Sequence, residues 1–144
     1  IWNYMKTLMN RWDMVDHFIT YWLIDITLQI ADKEKKGLII DGFPRAMEQE
    51  AFFVKAEEDY GRDFVIINYK LSKEKALERM IKRAWIEARA DDTPEAMQKR
   101  IDLFEQNTLP VLEFFEKQGK LITINADDTI ENVFNETMSK LNSL

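Results

Sequence analysis

The chain has 144 residues, 46% of them hydrophobic and 32% charged, with a net charge of −6 at neutral pH, a balance that suits one globular domain with a core of its own. Zero Cys excludes a disulfide framework, a thiolate metal site and a Cys nucleophile, and a lone His17 argues against a His-based metal cluster or catalytic dyad. The acidic balance argues against nucleic-acid binding, which phosphate neutralisation drives, yet permits a few arginines focused on a small phosphate ligand.

Residues 2–12 carry Trp2, Met5, Leu8, Met9 and Trp12 at roughly helical spacing. A second helix is predicted over 16–31, with Asp16 as N-cap and Phe18, Ile19, Trp22, Leu23, Ile26 and Ile30 on its apolar face. A charged turn, Asp32 to Gly37, leads into a short strand over 38–41, and a helix over 46–58 follows. Phe64-Val65-Ile66-Ile67-Asn68-Tyr69 is rich in β-branched and aromatic residues and nearly unbroken, as a strand buried on both faces requires. Ser72 then caps a helix to about Ala84. Thr93 and Pro94 open a long helix to about Gln118, which Pro110 should kink or break near Leu109. Gly119 stops it before a strand over 121–125. Thr129 caps a last helix with Ile130, Val133, Phe134, Met138 and Leu141 as its buried face. Strands alternating with helices imply a parallel sheet.

Two stretches carry chemistry. The first is Asp41-Gly42-Phe43-Pro44-Arg45-Ala46-Met47-Glu48-Gln49, set directly after the apolar run Leu38-Ile39-Ile40. A strand that stops at Asp and turns through Gly and Pro into a helix puts polar groups at the carboxyl edge of a sheet, where open α/β sheets bind ligands. The second is the series Arg79, Arg83, Arg89 and Arg100. Arg79 and Arg83 are one helical turn apart and share a face. Guanidinium groups chelate phosphate oxygens bidentately, and several on one cleft would neutralise a transferring phosphoryl group. Taken singly, each arginine reads rather as a solvated surface charge among residues such as Glu78 and Glu87. Glu57-Glu58-Asp59 reads as a solvated run at a helix end, and Glu50 has no matching polar partner.

In combination these stretches resemble the adenylate kinase family. DGFPR-x-x-EQ, then Arg79-x-x-x-Arg83, then Arg89-Ala90-Asp91-Asp92 and Arg100 follow its motif order, with Ala88 in place of a usual Gly. The resemblance runs from about Tyr4 to Leu144, and one domain over 1–144 with a short lid over 84–92 is expected. It implies a three-layer α/β/α fold with a parallel sheet of the P-loop-kinase type. The three strands here match strands 3, 4 and 5, and the central strand 1 is absent. It further implies transfer of phosphate from MgATP to AMP, giving two ADP, with Mg²⁺ as the accompanying ion. On the monophosphate side it matches Arg45 to the phosphate-binding residue, Gln49 to the one reading adenine, and Gly42 to backbone lying close to the base. Asp41 matches a carboxylate that holds a magnesium-bound water. Arg79 matches the residue stacking on the ATP adenine, and Asp128 falls where a backbone carbonyl meets that base. Arg83, Arg89 and Arg100 match the catalytic phosphate clamps, and Asp91 and Asp92 the pair that holds those arginines when the lid closes. The stretch Met14-Val15-Asp16 is a poorer match that would put Met14 and Ile19 near the monophosphate. Met14 and Trp12 read equally well as core or interface contacts.

No G-x-x-x-x-G-K-[ST] sequence occurs in these residues, so the phosphate-cradling loop on which such kinases depend is not among them. The chain by itself is therefore expected to be catalytically impaired. The alternatives are a non-catalytic nucleotide-binding or structural remnant, or a UMP/CMP-type kinase. The opening Ile1-Trp2-Asn3-Tyr4 has neither initiator Met nor signal-peptide pattern. It reads as a cytoplasmic protein that is a fragment, is completed by another polypeptide, or has been reworked. A complete form would be a monomer. Trp2, Trp12, Tyr21 and Trp22 offer an aromatic region for self-association, and no membrane or nucleic-acid partner is expected.

Overall fold

The computed structural model describes residues 17–87 and 93–144, and the chain divides into two compact units, Ile1–Asp63 and Phe64–Leu144. The helix expected over 2–12 and the Asp16 cap lie outside the described residues. In the first unit, α1 (His17–Lys33) packs against α2 (Met47–Asp59). Leu28, Ala31, Ala46, Phe53 and Ala56 form its core. Tyr21 stacks on Phe52 with ring centroids 4.3 Å apart, and the Tyr60 hydroxyl donates to Asp25 Oδ1 at 2.9 Å.

The buried stripe of α1 differs from the one expected. Leu28 and Ala31 are enclosed, whereas Phe18, Trp22, Leu23 and Ile30 are largely exposed. Apolar residues lie on nearly every side of this helix, so its sequence names no unique face, and contact with α2 selects one. The strand expected over 38–41 does not form either. Residues 36–40 have no regular structure and Ile39 is 98% exposed. A β-conformation is held by its ladder, and this segment pairs with no strand among the described residues.

The second unit carries a parallel two-stranded sheet. β1 (Ile66–Lys70) pairs with β2 (Leu121–Asn125) in a register that sets Ile66 opposite Leu121 and Lys70 opposite Asn125. Between them run α3 (Lys73–Glu87), α4 (Pro94–Leu103), a π-helical turn (Phe104–Thr108) and α5 (Leu109–Lys117). After β2 comes α6 (Ile130–Leu141). The three expected caps are present: Ser72 Oγ accepts from Lys75 N, Thr93 Oγ1 from Ala96 N and Thr129 Oγ1 from Asn132 N, each at 3.2 Å. The break ahead of Pro110 takes the form of the π turn, where Leu109 N–H donates to the Phe104 carbonyl. Proline brings no N–H to the carbonyl one turn earlier and crowds it, and a widened turn gives that carbonyl room.

Val111, Phe115 and Ile124 are enclosed at the centre of this unit, with Phe64 meeting Phe115 edge to face at 5.6 Å. On α6 the buried residue is Thr137, while Ile130, Phe134 and Met138, expected inside, are exposed. The helix packs on β2, and a sheet this narrow covers one strip of it. That strip is centred on Thr137, whose hydroxyl donates to the Val133 carbonyl at 2.7 Å.

Candidate nucleotide site

In the first unit the chain reverses through a tight turn before α2. Gly42 has a φ of 76°, and the Phe43–Pro44 peptide bond is cis, as the resemblance implied. Pro44 and Ala46 are buried while Arg45 between them is exposed. Phe43 meets Phe53 edge to face at 5.8 Å, fastening the turn to α2. The Arg45 guanidinium folds back over Gly42: a Cβ at residue 42 would lie 2.5 Å from Nη2. A side chain there would evict the guanidinium, and the positive φ favours glycine independently.

Ala46, at the N-cap, offers no side-chain acceptor. Gln49 instead reaches back past the N-cap, and its Oε1 accepts the Arg45 backbone N–H at 2.7 Å. This is half of a capping box, shifted by one residue. Glu50 follows, buried among the residues of α2 and without a hydrogen-bonded or ionic side-chain partner among the described residues. Burial pushes its carboxyl above the ordinary value of 4.5. Asp41 is exposed in the bend before Gly42. Ile19 lies half-buried on α1, and Met14 falls outside the described residues.

In the second unit, the carboxyl ends of the strands carry a second cluster. The Ala126 N–H donates to the carbonyl of Lys70 at 2.9 Å, extending the ladder one step beyond β2. The Ala126 carbonyl in turn accepts from Arg79 Nη2 at 2.6 Å. Arg79, on α3, is thereby anchored at the sheet edge. The loop below it is held by its own polar groups. Asn125 Oδ1 accepts from Asp127 N at 3.1 Å, and Asp128 Oδ1 accepts from Thr129 N at 2.7 Å and from Asn132 Nδ2 at 2.8 Å. Those bonds hold the Asp128 carboxyl below its ordinary value, the Asn132 amide contributing most and the Thr129 N–H next.

Arg83 sits one turn beyond Arg79 on α3, and Arg100 on α4, which packs against α3; both are half-buried. Arg89, Asp91 and Asp92 lie outside the described residues. Of the segment expected as a lid, 84–87 continue α3 as helix. Between α3 and α4, an apolar recess of about 270 Å³ is lined by Leu77, Ile81, Ala84, Trp85, Pro94 and Met97. The motifs along the chain point neither to the Ala126 carbonyl nor to the Arg45 N–H. The second was accessible from the spacing, since Gln at the third helical position is a capping signal. The first depends on a contact between residues 47 positions apart. Among the described residues no group of three or more His, Asp or Glu converges to hold a metal ion, and none of their helices is long and apolar enough to cross a membrane.

A parallel sheet with crossover helices, and Arg79 anchored at the carboxyl end of its strands, defines an α/β protein with polar groups at the edge where such sheets bind ligands. The adenylate kinase family model matches residues 2–120. The chain is 29% identical over 125 residues to an adenylate kinase of Parabacteroides distasonis, covering 85% of this chain and 66% of that protein. It is 32% identical over 138 residues to adenylate kinase 1 of Schistosoma mansoni, covering 95% and 68%. A UMP-CMP kinase of Lentinula edodes is 36% identical over 106 residues, covering 74% of this chain and 45% of that protein. The chain belongs to the adenylate kinase family, and it spans about half to two-thirds of the length of these relatives.

Proposed function

We propose that the chain carries the monophosphate-binding turn and the arginine-bearing half of a nucleoside monophosphate kinase, acting in the reaction ATP + AMP to two ADP. The observation that carries this reading is the turn at 42–49. A phosphate-seeking guanidinium lies over a glycine, and one helical turn away an oriented amide remains able to read a base. The Arg79–Ala126 bond supports the other half, placing a planar cation against backbone at the sheet edge, where an ATP adenine could stack. Arg83, Arg89 and Arg100 are the phosphate clamps of this reading, with Asp91 and Asp92 as their partners on a short lid.

Transfer in this class is a direct in-line displacement, assisted by positioning and by charge stabilisation. Magnesium fits as an ion carried in by the nucleotide. Asp41 is an exposed carboxylate that belongs to no group of three or more acidic or His side chains among the described residues, and is suited to holding one bound water. Mg²⁺, when present, neutralises the phosphate oxygens, and the chain's contribution is to orient them.

β1 pairs on one side alone among the described residues, so its other edge can accept a parallel strand. This favours a partner chain or further segment that supplies the phosphate loop. A cytoplasmic setting agrees with nucleotide substrates. The similarity to a UMP-CMP kinase keeps a pyrimidine monophosphate as the second reading.

Calorimetric titration of the purified chain with AMP tests the proposal. Saturable binding that Arg45→Ala removes, with the thermal midpoint unchanged, supports it. No binding by the native chain overturns it.

A further inference from the structure

Arg79 is an exposed side chain held in one place. Its Nη2 donates to the Ala126 carbonyl at 2.6 Å, and no carboxylate among the described residues pairs with it. The guanidinium charge is therefore uncompensated, while its position is set by a backbone oxygen.

That oxygen belongs to a peptide unit fixed from its other end. A trans peptide is planar, with its C=O and N–H pointing in opposite directions. The unit that carries the Ala126 carbonyl is trans and also carries the Asp127 N–H. Asn125 Oδ1 accepts that N–H at 3.1 Å, closing an Asx turn. With the N–H drawn to the Asn125 side chain, the carbonyl is turned away from it and toward Arg79. The preceding unit is held as well, since the Ala126 N–H donates to the Lys70 carbonyl at 2.9 Å. Of the two peptide planes that meet at Ala126, the sheet ladder fixes the first and the Asn125 side chain fixes the second.

We propose that Asn125 is a positioning residue for the base of the phosphoryl donor: through the Ala126–Asp127 peptide it aims the carbonyl that sets the plane of the Arg79 guanidinium. The inference rests on the nucleotide reading above, in which Arg79 meets the ATP adenine, and adds a residue to which that reading gives no part. An exposed arginine samples many rotamers, and ordering it as a ligand arrives costs binding free energy. Here the ordering is complete in the free chain, and the flat face of the guanidinium stays open to a base. Without the Asn125 acceptor, the Asp127 N–H turns to water, the peptide rotates about its flanking bonds, and the carbonyl leaves Arg79. Asn125 is itself exposed at the end of β2, so its side chain adds little to the core. A merely structural part for it would act on every ligand alike.

The test reads Arg79 directly. In nitrogen NMR spectra of the purified chain, the Arg79 guanidinium, assigned by its disappearance in Arg79→Lys, is expected to show separate, slowly exchanging Nη–H signals. Asn125→Ala should average them, and Asn125→Asp, which keeps an oxygen acceptor for the Asp127 N–H, should restore them. Titration with ATP to millimolar concentration, followed through the backbone amides, should show binding about fivefold weaker in Asn125→Ala, the worth of an exposed cation–π contact. Inorganic tripolyphosphate, which has no base, should bind both proteins equally. Averaged Arg79 signals in the native chain overturn the inference, as do separate signals in Asn125→Ala. Equal weakening of tripolyphosphate and ATP makes Asn125 a general support of the loop and overturns it too. Each of these outcomes leaves the ATP-side reading standing. The native spectrum needs no variant, so the inference is decided even where Asn125→Ala does not fold. If the native chain binds tripolyphosphate as tightly as ATP, or binds neither, the reading that sets adenine on Arg79 falls, and this inference with it.

Discussion

Arg45 and Gly42 share a space that admits a guanidinium only because residue 42 has no side chain. Arg45 is exposed in the free chain, and where bound AMP desolvates its guanidinium Arg45→Ala should weaken AMP by on the order of 2–5 kcal/mol, the usual loss for such a charge-assisted contact. ATP should be far less affected, and equal loss for both nucleotides in calorimetry would refute the assignment. Gly42→Ala should cost about 1–2 kcal/mol of stability through its left-handed φ and displace Arg45 as well. The expected signature is a lowered thermal midpoint together with weakened AMP, and a normal AMP titration would refute it. Glu50 makes a proton-linked prediction. Its folded pKa lies above the ordinary 4.5 because burial disfavours the anion. The folded state therefore holds this proton more tightly than the unfolded chain. Its contribution to stability is full below about 4.5 and is lost as pH rises through the raised value. Glu50→Gln should flatten the fall in thermal midpoint between acid and neutral pH. An unchanged slope would show that the carboxyl is solvated in the folded protein.

At the scale of elements, the helices of the second unit begin where their caps dictate. Thr93 and Thr129 each close a first turn through a side-chain oxygen, and replacement by Ala should cost about 1 kcal/mol at either site. The two effects should add in a double variant measured by urea unfolding, since the caps serve separate helices. The Asp128 carboxylate draws the Ala126–Thr129 loop onto α6 through two further bonds. Because its pKa is lowered, that support is present above the ordinary 3.8 and is lost as pH falls. Pro110 sits at the start of α5, and the π turn ahead of it joins α4 to α5 with helical dihedrals kept at Leu103, Phe104, Thr108 and Leu109. The recess between α3 and α4 is an apolar surface set by side chains that neither helix encloses alone.

For the whole molecule, the sheet is the narrowest part of the architecture. Two parallel strands enclose Ile124 with Val111 and Phe115, and truncating Phe115 to Ala should cost about 3–5 kcal/mol, a large share of a small unit's stability. Activity is limited differently. The arginines remain, but no glycine-rich nest with its Lys is present in these 144 residues to hold the ATP β- and γ-phosphates in line. Loss of a single preorganised donor typically costs ~10²–10³ in rate, so the chain alone should form ADP negligibly. Steady-state assay against an Arg83→Ala control, which reports contaminating kinase, checks this. Turnover in the usual range of ~1–10³ per second would place a different phosphate site within residues 1–36.

Much of this molecule could be read from local chemistry alone. Thr93, Thr129 and Ser72 mark helix starts because capping involves a side chain and its own next turn, and Pro110 marks a break for the same local reason. The Leu121–Asn125 strand and the Gly-Pro turn into α2 were likewise accessible, as was the family, whose motifs lie in short contiguous runs. Which face of a helix is buried was not accessible where apolar residues surround it. Leu28 over Trp22 on α1, and Thr137 over Phe134 on α6, were chosen by the neighbour each helix meets. Residues 38–41 have the composition of a strand but not its conformation, because a strand is stabilised by hydrogen bonds to another segment and composition does not provide one. The catch of Arg79 by the Ala126 carbonyl required the chain to bring residues 47 positions apart into contact. Capping and turn chemistry act over a few residues and are written in order along the chain, whereas burial and sheet pairing depend on what the rest of the chain places alongside.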